Sequence, residues 1–280
     1  MKCKTMGEEP EKIVSKGKKL IILGFVTIAI LFLLYSRYQD PELLTPSAID
    51  TIQRIAYGFY ITLIVSFGAI AFGMYRYHKG KVEANQKDLS TIIAITTWSL
   101  KSRKVFVFVF IAYGVFFSLI SGTLVYQPEV NFTHHYGATI PSGFIAPCCD
   151  GPGYMPKIII YLTEHIGLQI IPINLVLQII VSYLVGLNAA IAVGAYSISK
   201  KGRGMSTIGA ATGLFIACPT CAGTFLSIFI GTASGIALSI ALAQMQTLFI
   251  GISIPILLIT PFLMAKKLRN PDGSCKTNSK

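Results

Sequence analysis

The chain has 280 residues, of which 53% are hydrophobic and only 13% charged, and its mean hydropathy is +0.64. Soluble domains usually carry about 25% charged residues, so the composition excludes an ordinary soluble protein. The formal net charge of +12 does not indicate nucleic-acid binding, because the basic residues are segregated between the two sides of a predicted membrane domain. The sequence contains no phosphate-binding glycine loop, GxSxG or HExxH motif, which leaves those enzyme classes without support.

Six apolar segments are long enough to cross a bilayer, which takes about 20 residues of helix. Backbone polar groups in lipid must be satisfied within their own segment, so helices are predicted. The predicted fold is therefore all-α, a polytopic bundle of about six transmembrane helices with additional interfacial helices. The predicted spans cover residues 20–36, 54–76, 104–126, 174–198, 206–230 and 245–266.

The predicted membrane domain, 20–268, lies between a disordered tail at 1–19 and a second tail at 269–280. With the N-terminus in the cytoplasm, the inner segments hold 21 of the 24 Lys and Arg residues and the outer segments hold three. This asymmetry follows the positive-inside rule. We expect a multi-pass cell-membrane protein with both termini cytoplasmic and with anionic lipid headgroups at its inner surface.

Two connecting segments carry structure of their own. Residues 78–103 are predicted to form an amphipathic helix that lies in the inner interface and is anchored there by Trp98, or else a helical linker packed on the inner face of the bundle. The outer loop 127–173 is apolar but rich in Pro and Gly, so we expect it to fold over the bundle. Its part 158–171 is predicted to be an interfacial or re-entrant helix. The triplet Asn131-Phe132-Thr133 is an N-glycosylation sequon.

Small residues four apart predict close helix packing in lipid. One such stripe lies on the fourth span, and the other on the fifth. The short connection between these spans predicts an antiparallel hairpin in which the stripes face each other. The stripes are Gly186, Ala190 and Gly194, and Gly209, Gly213, Ala217 and Cys221.

The cysteines give the main chemical signal. Cys218-Pro219-Thr220-Cys221 lies within an uncharged apolar run, and Cys148-Cys149 lies in the outer loop. Positions i and i+3 share a helix face, and a break at Pro219 would place Cys221 at a helix start, where the dipole lowers thiol pKa. The alternative is that Cys218 and Cys221 only fill a packed interface. Cys3 and Cys275 lie on the predicted inner side and are interpreted as incidental.

The layout of a membrane CxxC pair with an outer-loop pair resembles the vitamin K epoxide reductase and bacterial disulfide-forming membrane oxidoreductase families. The resemblance implies that Cys218 and Cys221 exchange a disulfide with Cys148 and Cys149 and pass electrons to a quinone. In those families the loop cysteines are spaced apart, whereas Cys148 and Cys149 are adjacent. The composition and the CPTCAG sequence are also similar to uncharacterised multi-pass membrane proteins of ammonia-oxidising archaea.

Two other functions stay open. Copper(I) prefers sulfur ligands, and a copper-handling site would draw on the outer loop, with the CxxC pair as a second station. Alternatively, the chain is a structural or assembly subunit of a larger membrane complex, so the sequence does not decide whether it is an enzyme. Uncharged polar residues on the fourth span are expected to bridge helices. The candidate copper ligands are His134, His135, Cys148, Cys149 and Met155; the polar residues are Asn174, Gln178, Ser182 and Asn188.

Overall fold

The computed structural model describes residues 8–39, 46–84, 88–147, 153–199 and 254–266. The chain divides into two compact units, residues 1–80 with 121–178 and residues 81–120 with 179–280. The described part is mostly helical and contains one small sheet. The helices are α1 (Glu8–Ser36), α2 (Pro46–Ala84), α3 (Leu89–Trp98), α4 (Leu100–Ile120), α5 (Phe132–Tyr136), α6 (Pro172–Ser199) and α7 (Ile254–Lys266).

Four of these helices, α1, α2, α4 and α6, are long and apolar enough to cross a membrane. They correspond to the first four predicted spans and indicate a membrane location. The predicted span 206–230 lies outside the described residues, and α7 is the described part of the predicted span 245–266. α4 ends at Ile120, six residues before the predicted end of the third span, because the chain turns at Gly122 with φ +69° and enters a strand.

The first helix begins at Glu8, so residues 8–19 are helical and the predicted disordered tail is too long. The acidic side chain of Glu11, the fourth residue of the helix, suits the positive end of the helix dipole. This segment also has a packing partner: Val14 Cγ2 lies 2.7 Å from the position of a Cβ on Gly80 of α2. The polar composition of residues 8–19 did not indicate a helix, because the contact with α2 that stabilises this segment is not local in sequence.

α1 and α2 form an antiparallel hairpin that depends on glycines seven residues apart. A Cβ on Gly17 would lie 2.9 Å from Gly73 O, and a Cβ on Gly73 would lie 3.0 Å from Gly17 O. Gly24 and Gly80 also have their neighbouring helix where a Cβ would be placed. The two backbones therefore approach as closely as glycine allows, which is a common basis of helix association in lipid.

Between α4 and α6 the chain forms a four-stranded antiparallel sheet of order β1-β4-β3-β2. The register pairs Leu124 with Leu168, Ile158 with Ile170, and Ile145 with Ile158. The all-α prediction is therefore incomplete, and the predicted helix 158–171 is wrong. Consecutive β-branched side chains favour a strand, and a turn at residues 162–165 reverses the chain. The strands are β1 (Leu124–Tyr126), β2 (Ser142–Ala146), β3 (Lys157–Tyr161) and β4 (Ile166–Ile170).

The small-residue stripe on α6 packs against α3 and α4. A Cβ on Gly186 would lie 3.1 Å from Phe106 O, and a Cβ on Gly194 would collide with the Thr96 side chain. Ala190 is fully buried. The stripe therefore mediates close packing, and its described neighbours are α3 and α4. Its predicted packing against the fifth span stays a prediction. The second stripe, on residues 206–230, lies outside the described residues.

α3 is a packed linker rather than a helix lying free in the interface. Its Ile93 joins a buried cluster with Ile191 of α6 and Ala265 of α7, and Thr91 is fully buried. This outcome favours the second of the two interpretations of residues 78–103. The predicted single helix is divided among the end of α2, α3 and the start of α4.

Candidate functional site

The structure describes three of the seven predicted site residues: His134, His135 and Met155. The predicted thiol pairs, Cys148 with Cys149 and Cys218 with Cys221, lie outside the described residues. What the structure contributes to the thiol hypothesis is the position of the residues on either side of the outer-loop pair.

On the N-terminal side, the residue before Cys148 is fixed to the end of α1. The Tyr35 hydroxyl donates a hydrogen bond to Pro147 O, across 112 positions in sequence. Tyr35 is buried and its ring makes an edge contact with Phe59 of α2, at 5.1 Å between centroids. The end of β2 is thus held against the α1–α2 hairpin.

On the C-terminal side, the first described residue after the cysteines is also fixed. Gly153 O accepts a hydrogen bond of 3.1 Å from Ile173 N–H at the start of α6. A Cβ on Gly153, which has φ +85°, would lie 3.5 Å from a ring carbon of Phe32 in α1. Both flanks of the five-residue segment 148–152 therefore lie at the same end of α1.

A second tyrosine joins α2 to the strands. The Tyr60 hydroxyl donates to Pro156 O at 2.6 Å and is 3.1 Å from Ile170 O, so it contacts the ends of β3 and β4. Met155, one residue before Pro156, is buried. We call this end of the sheet, where Ala146, Lys157 and Ile170 lie, its helix end.

His134 and His135 lie at the opposite end of the sheet, which we call its turn end. They belong to α5, and Phe132 N–H at the start of that helix donates to Glu164 O in the turn between β3 and β4. The Phe132 ring packs on Tyr161, at 5.2 Å between centroids. Both histidines are exposed.

The described copper candidates are therefore not brought together. Met155 is at the helix end and the two histidines are at the turn end. These ends are separated by the length of a five-residue strand, about 13 Å at about 3.3 Å per step. Within the described residues, no group of three or more His, Cys, Asp or Glu side chains is arranged to hold a metal ion.

The sequon asparagine has a structural role in this loop. Asn131 Oδ1 accepts from the N–H groups of Thr133 and His134 and so caps α5. Its Nδ2 donates to Glu164 Oε2 at 2.7 Å. His165 supports the same turn, since its Nδ1–H donates to the carbonyls of Gln127 and Val130. Glycosylation of Asn131 stays a prediction.

The polar residues of α6 include one that bridges helices, as predicted. Asn188 Nδ2 donates to Leu257 O of α7 at 3.1 Å. Its Oδ1 and the Ser182 hydroxyl are buried and have no hydrogen-bond partner within the part of the chain that the structure describes. Asn174 and Gln178 lie near the start of α6, close in sequence to the strand β4.

The two tyrosines are the residues that sequence reasoning missed. Tyr35 and Tyr60 lie on apolar helix faces, and neither belongs to a motif. The available signal was weak: each is a hydroxyl within a predicted span, where an unpaired polar group is costly. No protein-family model, curated protein or solved structure matches this chain. The functional assignment therefore depends on the residues themselves.

Proposed function

We propose that this chain is a multi-pass membrane protein of thiol–disulfide exchange. In this proposal Cys148 and Cys149 exchange with Cys218 and Cys221, and a quinone or a partner protein accepts the electrons. Six spans with both termini in the cytoplasm would put the loop pair on the oxidising side, where disulfides persist.

The supporting observation is the anchoring of both flanks of segment 148–152. A membrane CxxC can exchange only with a disulfide that it can reach. If segment 148–152 belonged to a separate domain in water, its cysteines would be too far from the membrane helices to exchange with a CxxC pair within them. Here Pro147 is hydrogen-bonded to Tyr35, and Gly153 to Ile173, which keeps the flanking residues at the end of the helical bundle.

The proposed chemistry conserves atoms and electrons. A thiolate of the loop dithiol attacks the Cys218–Cys221 disulfide and forms a mixed disulfide. The second loop thiolate displaces the membrane sulfur, which leaves a loop disulfide and a membrane dithiol. The membrane dithiol then gives two electrons and two protons to a quinone, which becomes a quinol. A partner-protein disulfide can accept the same two electrons and two protons.

The separation of His134 and His135 from Met155 gives the copper alternative less support as one compact site. Copper binding at the cysteines is therefore the alternative that the copper measurement described below tests. A purely structural or assembly role is the third outcome. It predicts free thiols that neither exchange nor hold metal.

The experiment is to measure the intact mass of the purified chain with and without alkylation, together with its copper content. Each disulfide hides two thiols from the alkylating reagent, so thiol exchange predicts fewer modified cysteines than the six present. Cys218→Ser and Cys221→Ser should each change the redox state of Cys148 and Cys149 without changing metal content, and one of them should trap a mixed disulfide.

Cys3→Ser and Cys275→Ser are the matched controls, because both residues lie on the predicted inner side. They should leave the redox state of the other four cysteines unchanged. Copper that co-purifies with the wild type, and that decreases in both Cys218→Ser and His134→Ala, would contradict the thiol proposal. Four free thiols after oxidising growth, with no bound copper, would contradict both chemical functions.

A further inference from the structure

The helix end of the sheet contacts α1 about one turn before the last residue of that helix. Gly153 is next to Phe32, which precedes Ser36, the last residue of α1, by four positions. At about 1.5 Å per residue, this level is about 6 Å inside the helix end. Tyr60 of α2 contacts the same end of the sheet, since its hydroxyl donates to Pro156 O and lies 3.1 Å from Ile170 O. It lies six residues beyond Arg54, after which α2 has no charged residue until Arg76.

Large side chains are exposed at this level. On α1, Leu33 is 70% exposed and belongs to an apolar segment that is long enough to span a membrane. Tyr154 follows Gly153 directly and is 45% exposed. A tyrosine ring that is exposed beside lipid-facing positions of a spanning helix is in the environment where Tyr and Trp are enriched, the membrane–water interface.

One face of the sheet is apolar, and the other carries its few polar side chains among apolar ones. Antiparallel sheets with one solvated face alternate apolar and polar residues. The register of β2 to β4 puts Ile145, Ile158 and Ile160 on the apolar face. Phe144 and Ile159 share the other face with Ser142, Lys157 and Gln169, so its alternation is incomplete. Phe144 is 46% exposed. Lys157 is the one charged residue of the four strands and lies at the helix end, where a long basic side chain can reach lipid headgroups.

The free edges of the sheet limit its depth. Among the described strands β1 and β2 are the outer ones, and an outer strand has backbone groups that face away from the ladder and would be costly to place in hydrocarbon. The headgroup layer contains water and is about 5 to 8 Å thick on each side of a core of about 30 Å. That layer accommodates the helix end of the sheet, while the turn end with its exposed histidines extends towards water.

We infer that the helix end of this sheet is immersed in the headgroup layer of one leaflet, with Tyr154 and Phe144 in contact with lipid. The partner of this surface is the bilayer itself, through its acyl–headgroup boundary. The inference is independent of the proposed thiol chemistry, because it uses no cysteine and no orientation of the termini. It makes the sheet an interfacial anchor rather than a separate aqueous domain.

Fluorescence quenching tests this inference in the full chain. The native Trp98 is first replaced by Phe, and Tyr154→Trp is then placed in vesicles of phosphatidylcholine with brominated acyl chains. The new tryptophan should lose emission relative to unbrominated vesicles. Glu129→Trp, in the exposed loop at the turn end, is the matched control and should keep its emission. Phe144→Trp should lose emission as well.

Equal emission of Tyr154→Trp in the two kinds of vesicle would overturn the inference. If that variant also showed emission that shifts with protein density, a second copy of the chain would be covering the surface instead. If the Trp98→Phe background does not fold, nitroxide-labelled cysteines at residues 154 and 129 replace it. Residue 154 should then collide preferentially with oxygen and residue 129 with a water-soluble nickel chelate, and the reverse order would contradict lipid contact.

Discussion

At the scale of single residues, two tyrosine hydroxyls link sequence positions that no local pattern connects. The partners of Tyr35 and Tyr60 lie 112 and 96 positions away. The length of the apolar segments predicted correctly that both tyrosines belong to helices, because that signal is local. It did not predict the carbonyls that they contact, because those contacts depend on how the sheet lies against the helices.

Replacing Tyr60 by Phe tests the importance of this link. The substitution removes a buried hydroxyl and leaves the carbonyls of Pro156 and Ile170 without it. A lost hydrogen bond costs about 0.5 to 1.5 kcal/mol, and more where a buried partner stays unsatisfied. We expect Tyr60→Phe to lower the free energy of unfolding by about 1 to 3 kcal/mol in detergent. Tyr57→Phe, on an exposed position one turn away, should have little effect. Equal stability of the two variants would show that the hydroxyl is unimportant.

Asp88 predicts a pH dependence at the junction of α2 and α3. Its Oδ2 accepts from the Ser90 hydroxyl at 2.6 Å and from Lys81 Nζ at 3.1 Å. The Ser90 hydrogen bond, followed by that of Lys81, holds the pKa of the Asp88 carboxyl below its ordinary value. A lowered pKa means that the carboxylate stabilises the fold at neutral pH, and that this stabilisation is lost as pH falls through the folded-state pKa.

Unfolding of the wild type and Asp88→Asn, followed from neutral to strongly acidic pH, checks the expectation. The wild type should be the more stable at neutral pH, and the difference should diminish in acid. Ser90→Ala removes the first cause of the shift, so the stability lost between neutral and acidic pH should be smaller than in the wild type, and the loss should be complete at a higher pH. A pH-independent difference between wild type and Asp88→Asn would show that the charge of Asp88 is not responsible.

At the scale of elements, helices were predicted better than strands for a physical reason. A spanning helix satisfies its hydrogen bonds within one apolar segment, so α1, α2, α4 and α6 could be found from their own residues. The sheet pairs Leu124 with Leu168 and Ile145 with Ile158, and such pairings are not local. The run Ile158-Ile159-Ile160 was the available signal, since a short apolar run is ambiguous and β-branching favours a strand.

The glycine contact between α1 and α2 gives a matched pair of variants. A Cβ on Gly73 would lie 3.0 Å from Gly17 O and from side-chain atoms of α1, whereas a Cβ on Gly68 would meet nothing within 4 Å. Alanine favours a helix over glycine by about 1 kcal/mol, so Gly68→Ala should be neutral or stabilising. Gly73→Ala should destabilise by about 1 to 3 kcal/mol, because the helices must separate. Thermal unfolding in detergent compares them, and a stabilising Gly73→Ala would mean that the helices do not pack through this glycine.

At the scale of the whole molecule, some features of the candidate site could be predicted from the sequence and others are visible only in the structure. The chemistry proposed for Cys148, Cys149, Cys218 and Cys221 depends on residue type and spacing in the sequence. The anchoring of Pro147 and Gly153 at the end of α1 follows from tertiary contacts. The candidate copper ligands show why residue type and spacing are not sufficient. His134 and Met155 belong to the same predicted outer loop, but they lie at opposite ends of a sheet that was not predicted from the sequence.

The orientation of the chain is the broadest expectation and the most direct to test. α1 and α2 run in opposite directions, and the sheet lies at the end of that hairpin where α1 ends. Positive-inside asymmetry, 21 basic residues against three, then predicts the sheet outside and the α3–α4 junction inside.

In a chain without its six cysteines, Glu129→Cys should react with a membrane-impermeant thiol reagent in intact cells. Lys101→Cys, also exposed, should react only after lysis. The opposite pattern would invert the topology and put Cys148 and Cys149 in a reducing compartment, where the proposed disulfide exchange would lose its oxidising side.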